Sequence, residues 1–200
     1  LETAKLAELI EKFKVSLVLA TPTFLRGYLR KATPEQFATV KLVVTGAEKL
    51  PKKVADTFQE KFGQPVLEGY GLTETAPVTN VNIPDIDGVE DRNPVIPNRR
   101  EGAVGLFIPG VAVRITDPDT NAPLPLHQSG MIWLRGSNIF EGYLNQPEKT
   151  AEVIQNNWFK TGDIGRVDED GFLYIEGRLS RFSKIGGEMV PHETLENHIN

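Results

Sequence analysis

Leu6, Leu9, Ile10 and Phe13 recur at spacings of three, four and seven, which predicts an amphipathic helix over residues 3–14. The pattern then becomes a short unbroken apolar run at 16–20 (SLVLA), the pattern of a strand buried on both faces. Phe24, Leu25, Tyr28 and Leu29 return to helical spacing. Thr33-Pro34-Glu35-Gln36 supplies an N-cap, a proline at the first helical position and a capping partner at the third, so a short helix is expected there. Residues 41–45 (KLVVT) predict a second buried strand. Pro51 opens a helix carrying Val54, Ala55, Phe58 and Phe62, with Gly63 placed to end it. Residues 65–68 (PVLE) predict a third strand. Strand–helix–strand order implies parallel strands joined by right-handed crossovers.

The texture changes after residue 82. Residues 82–101 contain Pro84, Pro94 and Pro97, many polar residues and little periodicity, and read as a long loop or linker. Strand-like runs follow at 103–108, 111–116, 130–135 and 172–176, separated by turn signals such as Pro109-Gly110, Asp117-Pro118 and Asp170-Gly171. That spacing predicts a small antiparallel barrel or sheet. The fold class is therefore α/β: part of a parallel βαβ layer followed by a small antiparallel β-barrel subdomain.

Composition narrows the function classes. The 200 residues carry a net charge of −5, with 40% hydrophobic and 24% charged residues, as in ordinary globular chains. An acidic balance without a long basic cluster argues against a nucleic-acid partner but permits a small anionic ligand. The chain has no Cys, which excludes a disulfide scaffold and a thiolate zinc site, and its three His form no HExxH pattern. No apolar run reaches the roughly 18–20 residues that span a bilayer. A cytoplasmic location is expected for this segment. Residue 1 is Leu and already lies in a helical pattern, so the sequence reads as a piece of a longer protein.

Four segments could carry chemistry. Glu68-Gly69-Tyr70-Gly71-Leu72-Thr73-Glu74 follows a predicted buried strand, where ligands of open α/β sheets sit. Its glycines permit close backbone approach. Tyr70 offers a flat face to a base, Thr73 a hydroxyl to a phosphate and Glu74 a hard oxygen to Mg²⁺. The same residues would also serve a plain glycine turn and helix cap. Thr45-Gly46-Ala47-Glu48-Lys49-Leu50 ends a second strand, but it lacks dinucleotide-fold spacing and equally fits an ordinary βα turn. In Trp158-Phe159-Lys160-Thr161-Gly162-Asp163, the Asp can accept two hydrogen bonds from a ribose diol or simply sit in a β-turn. Residues 177–187 hold three cations and three glycines, as an anion-binding loop or a solvated turn would. No Walker loop and no GxSxG elbow is present.

Taken together, these segments resemble the adenylate-forming superfamily of acyl-CoA synthetases, luciferase-like ligases and peptide-synthetase adenylation domains. TGAEKLP (45–51), YGLTE (70–74), GLFIPGVAVRI (105–115), RGSNIFEGYLNQPEKT (135–150), WFKTGD (158–163) and GRLSRFSKIGGEMVPHE (177–193) stand in the family's order. The resemblance implies that ATP or AMP binds with Tyr70 stacked on the adenine and Gly46, Ala47 and Glu48 lining its other side. Glu68, Gly69, Gly71 and Leu72 complete that wall. Thr73 would bond the α-phosphate, Glu74 would hold Mg²⁺, Asp163 and Arg178 would grip the ribose, and Ile175 would lie near the base. Lys184, Gly186 and Gly187 would belong to a mobile lid that meets the thiol arm, with Ser180 at the hinge where the family often has Asp.

The implied division is 1–97 for the α/β part with its linker, 98–177 for the β-barrel part and 178–200 for the hinge and the start of a C-terminal lid. The implied reaction activates a carboxylic acid as an acyl-adenylate and passes it to the thiol of acyl carrier protein or CoA. The 177–190 segment resembles bacterial ligases of long-chain fatty acids and acyl carrier protein, often fused to an acyltransferase, so a fatty acid is the expected substrate. A membrane would be met only through the full-length parent, at the inner membrane. The family's TSGTTGxPK-like phosphate loop and its C-terminal lysine do not occur in the 200 residues, so little turnover is expected of this piece alone. A non-catalytic adenylate-binding module, or a ligase for an aryl, amino or short-chain acid, are the alternatives.

Overall fold

The computed structural model describes residues 2–84, 97–185 and 188–192, with the backbone alone from 184 to 191. Three helices form where the periodicity places them. Helix α1 (Thr3–Lys12) buries Ala7 and Ile10. Helix α2 (Pro22–Lys31) starts with proline at its first position and ends at Ala32, whose backbone is extended ahead of Thr33-Pro34. Helix α3 (Lys52–Phe62) ends at Gly63, which takes the left-handed conformation (φ 75°) and donates its N–H to the Gln59 carbonyl. The helix expected after Thr33 is a single 3-10 turn, Glu35–Phe37. Half of its capping box is present, because the Thr33 N–H donates to Gln36 Oε1 at 3.0 Å.

The helices pack on one face of a sheet whose order is β1 (Leu17–Ala20), β2 (Leu42–Thr45), β3 (Val66–Tyr70), β4 (Asn80–Val81) and β5 (Leu106–Phe107). The first three strands are parallel, with Val18 beside Val43 and Val44 beside Leu67. Phe37 lies at the centre of the core below them, its ring 5.2 Å from Tyr28, 5.7 Å from Phe58 and 4.4 Å from Phe62. One expectation fails here. The run at 16–20 is not buried on both faces: Leu17 is 46% and Leu19 71% exposed. β1 is an edge strand, and the helices cover only the face that carries Val18 and Val43.

β3 then turns antiparallel, pairing with β4, which pairs with β5. Part of the run at 103–108 therefore continues the first sheet. The second sheet has the order β10 (Leu173–Arg178), β9 (Trp158–Val167), β7 (Gly130–Arg135), β6 (Ala112–Thr116), antiparallel throughout, with β8 (Ile154–Gln155) beside β9 after helix α4 (Pro147–Val153). It is a curled half-barrel. Ile132, Leu134, Val167 and Leu173 fill one face, and Met131, Trp133 and Ile164 the other. Tyr70 from the first sheet packs into the former cluster. A 3-10 turn at Leu179–Arg181 leads into a hairpin of β11 (Phe182–Ile185) and β12 (Glu188–Pro191).

Buried amides tie β4 to the segment that leads into β5: Asn82 Nδ2 donates to the Ala103 carbonyl at 2.7 Å, and Asn80 Nδ2 to the Gly105 carbonyl at 3.2 Å. That segment is fastened to the second sheet, where the Val104 N–H donates to the Leu173 carbonyl at 2.8 Å. Arg100 pairs with Asp168 and Asp170 and stacks on Phe172, 4.8 Å from its centroid. Asp168 is buried and keeps only neutral donors (the Asp170 and Phe172 N–H groups and Tyr174 Oη) once Arg100 is removed, so Arg100→Ala takes away its counter-ion and should cost about 2 kcal/mol. Thermal melts should then show a midpoint lower by roughly 4–8 °C. An unchanged midpoint would remove Arg100 from this fastening.

Candidate active site

The carboxyl ends of β2 and β3 open onto a cavity of about 350 Å³ whose far wall is the end of β10. This is where an open α/β sheet offers a ligand its backbone groups. Ala47, Glu48, Glu68, Gly69, Tyr70, Gly71, Leu72, Asp163, Ile175 and Arg178, all chosen from the sequence, line it. Gly46 sits just behind the wall, where a Cβ would meet the Gly69 carbonyl at 3.3 Å. Ala47 takes a left-handed turn (φ 68°). Glu48 is exposed, and its Oε2 accepts from Thr23 Oγ1 at 3.0 Å.

Asp163 is delivered by two bulges. β9 uses four steps, from Lys160 to Ile164, where β7 uses two, from Trp133 to Met131, and Gly162 at φ 79° absorbs the turn. β10 shifts register between Ile175 and Gly177 on the other side. Such bulges re-aim side chains while keeping the strand paired. The result brings Asp163 opposite Arg178 and within reach of Tyr70. Tyr70 Oη donates to Asp163 Oδ2 at 2.5 Å, and Arg178 Nε pairs with Asp163 Oδ1 at 2.9 Å. A second Arg178 nitrogen donates to the Thr161 carbonyl at 3.0 Å, and the Asp163 N–H donates to Thr161 Oγ1 at 3.0 Å.

Asp163 is 4% exposed, whereas the Arg178 side chain is 51% exposed. Burial raises the Asp163 carboxyl above its ordinary range, against the opposing pull of the Tyr70 hydrogen bond and the Arg178 charge. Burial, then the Asp163 charge, raises the Tyr70 phenol, which stays protonated and can only donate to that carboxylate. Burial also raises Glu68, whose Oε1 accepts a long hydrogen bond from the Leu50 N–H at 3.4 Å.

Thr73 and Glu74 stand apart from the cavity wall. Both belong to a 3-10 turn at Thr73–Thr75, with Thr73 exposed. Glu74 Oε1 accepts from Tyr143 Oη at 2.8 Å. Ser180 is exposed in the turn after β10. Lys184 lies in β11 by its backbone; its side chain, Gly186 and Gly187 lie outside the described residues.

Sequence reasoning missed three participants. Thr161 stood in the WFKTGD segment without a role, yet it braces both Asp163 and Arg178. Tyr143 stood unremarked in the 135–150 segment. Val104 lines the cavity beside Ile175, and nothing local in its sequence marks it. Chemically, the cavity combines a flat aromatic ring, apolar walls, a buried carboxylate that accepts hydrogen bonds and an exposed cation. That set suits a ring carrying a vicinal diol and an anionic tail.

Comparison with known proteins agrees. The chain is 34% identical to 4-coumarate–CoA ligase CCL1 of Humulus lupulus over 200 residues, covering 98% of this chain and 35% of that one. It superposes on ATP-bound MatB from Rhodopseudomonas palustris with a TM-score of 0.82 at 33% identity, covering all of this chain and 37% of that one. It is similar as well to the AMP complex of O-succinylbenzoate coenzyme A synthetase (MenE) from Bacillus subtilis, with a TM-score of 0.81 at 25% identity, covering 98% and 38%. The chain thus spans about a third of the length of the curated relatives it matches. Residues 1–144 match the family described as AMP-binding enzyme, and the chain belongs to that family.

Proposed function

We propose that this chain is part of an ATP-dependent, AMP-forming acid–CoA ligase. The observation that carries the reading is the Tyr70–Asp163–Arg178 constellation on one cavity, at the end of two parallel strands. The Tyr70 ring and Ile175 would hold the adenine. Asp163 would accept from the ribose hydroxyls, and Arg178 would keep that carboxylate ionised. The acid's carboxylate oxygen attacks the α-phosphorus, the bond to the bridging oxygen breaks, and pyrophosphate leaves. The thiol sulfur then attacks the acyl carbon, its proton passes to solvent, and AMP leaves with the electron pair of the C–O bond. Catalysis of the first step is mainly positioning and charge stabilisation.

Mg²⁺ would supply part of that stabilisation. Among the described residues no group of three or more His, Cys, Asp or Glu could hold a metal ion. Mg²⁺ does not need such a cage: it keeps waters and binds through one or two carboxylates plus substrate phosphates. Glu74, with Oε1 engaged by Tyr143 and Oε2 left for a cation, fits that demand.

For the acid, the reading shifts from the expected fatty acid toward the alternative of an aryl or other small acid, and of the two expected acceptors, acyl carrier protein or CoA, it favours CoA. The relatives support this by their names, 4-coumarate–CoA ligase and O-succinylbenzoate coenzyme A synthetase. The long-chain, carrier-protein reading rests on the 177–190 segment alone. Pyrophosphate exchange by the full-length protein, run with coumarate, benzoate, a dicarboxylate and palmitate, separates these readings. Exchange that depends on an aryl acid, followed by CoA thioester formation, is expected. Preference for palmitate with acyl carrier protein would restore the earlier expectation. AMP binding without exchange for any acid would make the protein a non-catalytic adenylate-binding module.

A further inference from the structure

The 135–150 segment enters the reading above only through the Tyr143 hydroxyl, yet it embraces the whole Glu74 turn. Asn138 Nδ2 donates to the Thr75 carbonyl at 2.9 Å and to the Val78 carbonyl at 3.1 Å. The Phe140 N–H donates to the Glu74 carbonyl at 2.9 Å. These three bonds reach only backbone. The fourth is different in kind: Tyr143 Oη donates to the Glu74 side chain, 69 residues away in sequence.

Tyr143 is itself held firmly. Its N–H donates to Thr150 Oγ1 at 2.9 Å, and that hydroxyl donates to the Gln146 carbonyl at 2.9 Å, at the start of α4. Its ring meets Phe140 edge-on at 4.9 Å, and Phe140 in turn packs 5.6 Å from Phe159 of β9. Lys149 Nζ lies 5.3 Å from the Tyr143 ring. A hydroxyl anchored to the second sheet thus fixes a carboxylate borne by the first. Because one Glu74 oxygen is taken by a directional bond, the carboxylate loses its rotational freedom and offers Oε2 in one orientation.

We propose that Tyr143 is a positioning residue that orients the Glu74 carboxylate for the divalent cation of the nucleotide complex. The proposal rests on the reading of Glu74 as the cation's ligand. Groups that orient a metal ligand commonly contribute about tenfold or more to metal affinity. Loop shape is not at issue in the test variant: Tyr143→Phe keeps the ring contacts, and the Asn138 and Phe140 bonds still hold the turn.

The experiment titrates Mn²⁺ into the ATP complex of the full-length protein, read by electron paramagnetic resonance, with Tyr143→Phe and Glu74→Gln in parallel. AMP binding without metal is measured by calorimetry. For Tyr143→Phe, Mn²⁺ affinity should fall about tenfold, metal-free AMP affinity should stay within about twofold, and the apparent KM for Mg²⁺ should rise while kcat at saturating Mg²⁺ recovers. Unchanged Mn²⁺ affinity in Tyr143→Phe with weakened affinity in Glu74→Gln overturns the positioning role and leaves the Glu74 reading standing. Unchanged affinity in Glu74→Gln overturns that reading and the proposal with it. Equal losses of metal-free AMP and Mn²⁺ affinity in Tyr143→Phe would make Tyr143 a structural residue only.

Discussion

Replacing Asp163 by Asn should weaken AMP binding by about a hundredfold while leaving the fold at least as stable near neutral pH. The two halves of this expectation share one cause. A carboxylate that is 4% exposed is an expensive acceptor to keep in place, and burial raises its pKa despite Tyr70 and Arg178. Asn fits the same space, still accepts from the Tyr70 hydroxyl and removes the buried charge. Arg178, half in solvent, can swing away at little cost. The ribose, however, would meet an amide donor where it needs an acceptor, and a neutral group where it needs a charged one. A loss of binding of this size corresponds to roughly 2.8 kcal/mol, within the range of a charge-assisted hydrogen bond.

The pH dependence of stability should move in step. The folded state holds the Asp163 proton more tightly than the unfolded chain, since the folded pKa lies above the ordinary 3.8. Its contribution is therefore full below that ordinary value and is lost as pH rises through the raised folded value. Thermal melts between about pH 4 and pH 7 should show a flatter curve for Asp163→Asn than for the unsubstituted protein. A variant less stable across the whole window would mean that the ion pair with Arg178 outweighs the burial of the carboxylate, and the site would owe its carboxylate to folding instead of to a ligand.

How much of this was legible in the sequence depends on range. Elements whose cause is local were readable: the helical spacing of Val54, Phe58 and Phe62, Gly63 as a left-handed stop, and the unbroken run LVVT of β2. β9 escaped although it is the longest strand, with ten residues. Its Thr161-Gly162-Asp163 stretch has the chemistry of a turn, and the structure satisfies that chemistry inside the strand, as a bulge. Burial of β1 on both faces was misread because an apolar run does not say which faces of a strand are covered, and here the face carrying Leu17 and Leu19 is open.

The site divides the same way. The residues at the ends of β2 and β3 were identified by position, since a strand end followed by small residues has a fixed place in an α/β layer. Their relationships were not. Tyr70 and Asp163 are 93 residues apart, and no spacing rule predicts that the phenol donates to the carboxylate. On the proposed reading, that bond would give Tyr70 two tasks, a ring face for a base and a hydroxyl for the group beneath the ribose. Tyr143 and Glu74 repeat the pattern where the proposed cation would bind. In both pairs a tyrosine hydroxyl fixes a carboxylate far away in sequence: Tyr70 on β3 reaches Asp163 on β9, and Tyr143, in the segment between β7 and α4, reaches Glu74 in the turn after β3, so packing of the two parts completes the constellation.

The glycine of the Tyr70-Gly71-Leu72 turn should tolerate no side chain without loss of stability. The sequence places glycine there for close approach, and the approach is real, but the neighbour is the protein itself. A Cβ on Gly71 would lie 1.8 Å from the Pro77 carbonyl oxygen, 2.7 Å from its carbon and 2.8 Å from Val78 Cα. All three are backbone atoms, so no side chain can rotate aside. The 76–78 turn they belong to is itself pinned, because Thr75 Oγ1 donates to the Pro77 carbonyl at 3.1 Å and Asn138 Nδ2 donates to the Val78 carbonyl. Gly71→Ala must therefore push the turn bodily away from β3. The expected cost is at least about 3 kcal/mol, or a melting midpoint lower by roughly 6–12 °C. The displacement would fall on Thr73 and Glu74, which ride on the same turn, while Asp163 on the other sheet stays in place. Metal-supported nucleotide binding should consequently suffer more than metal-free AMP binding. Wild-type melting and binding in Gly71→Ala would show that the turn can yield, and the role of Gly71 would return to the ligand.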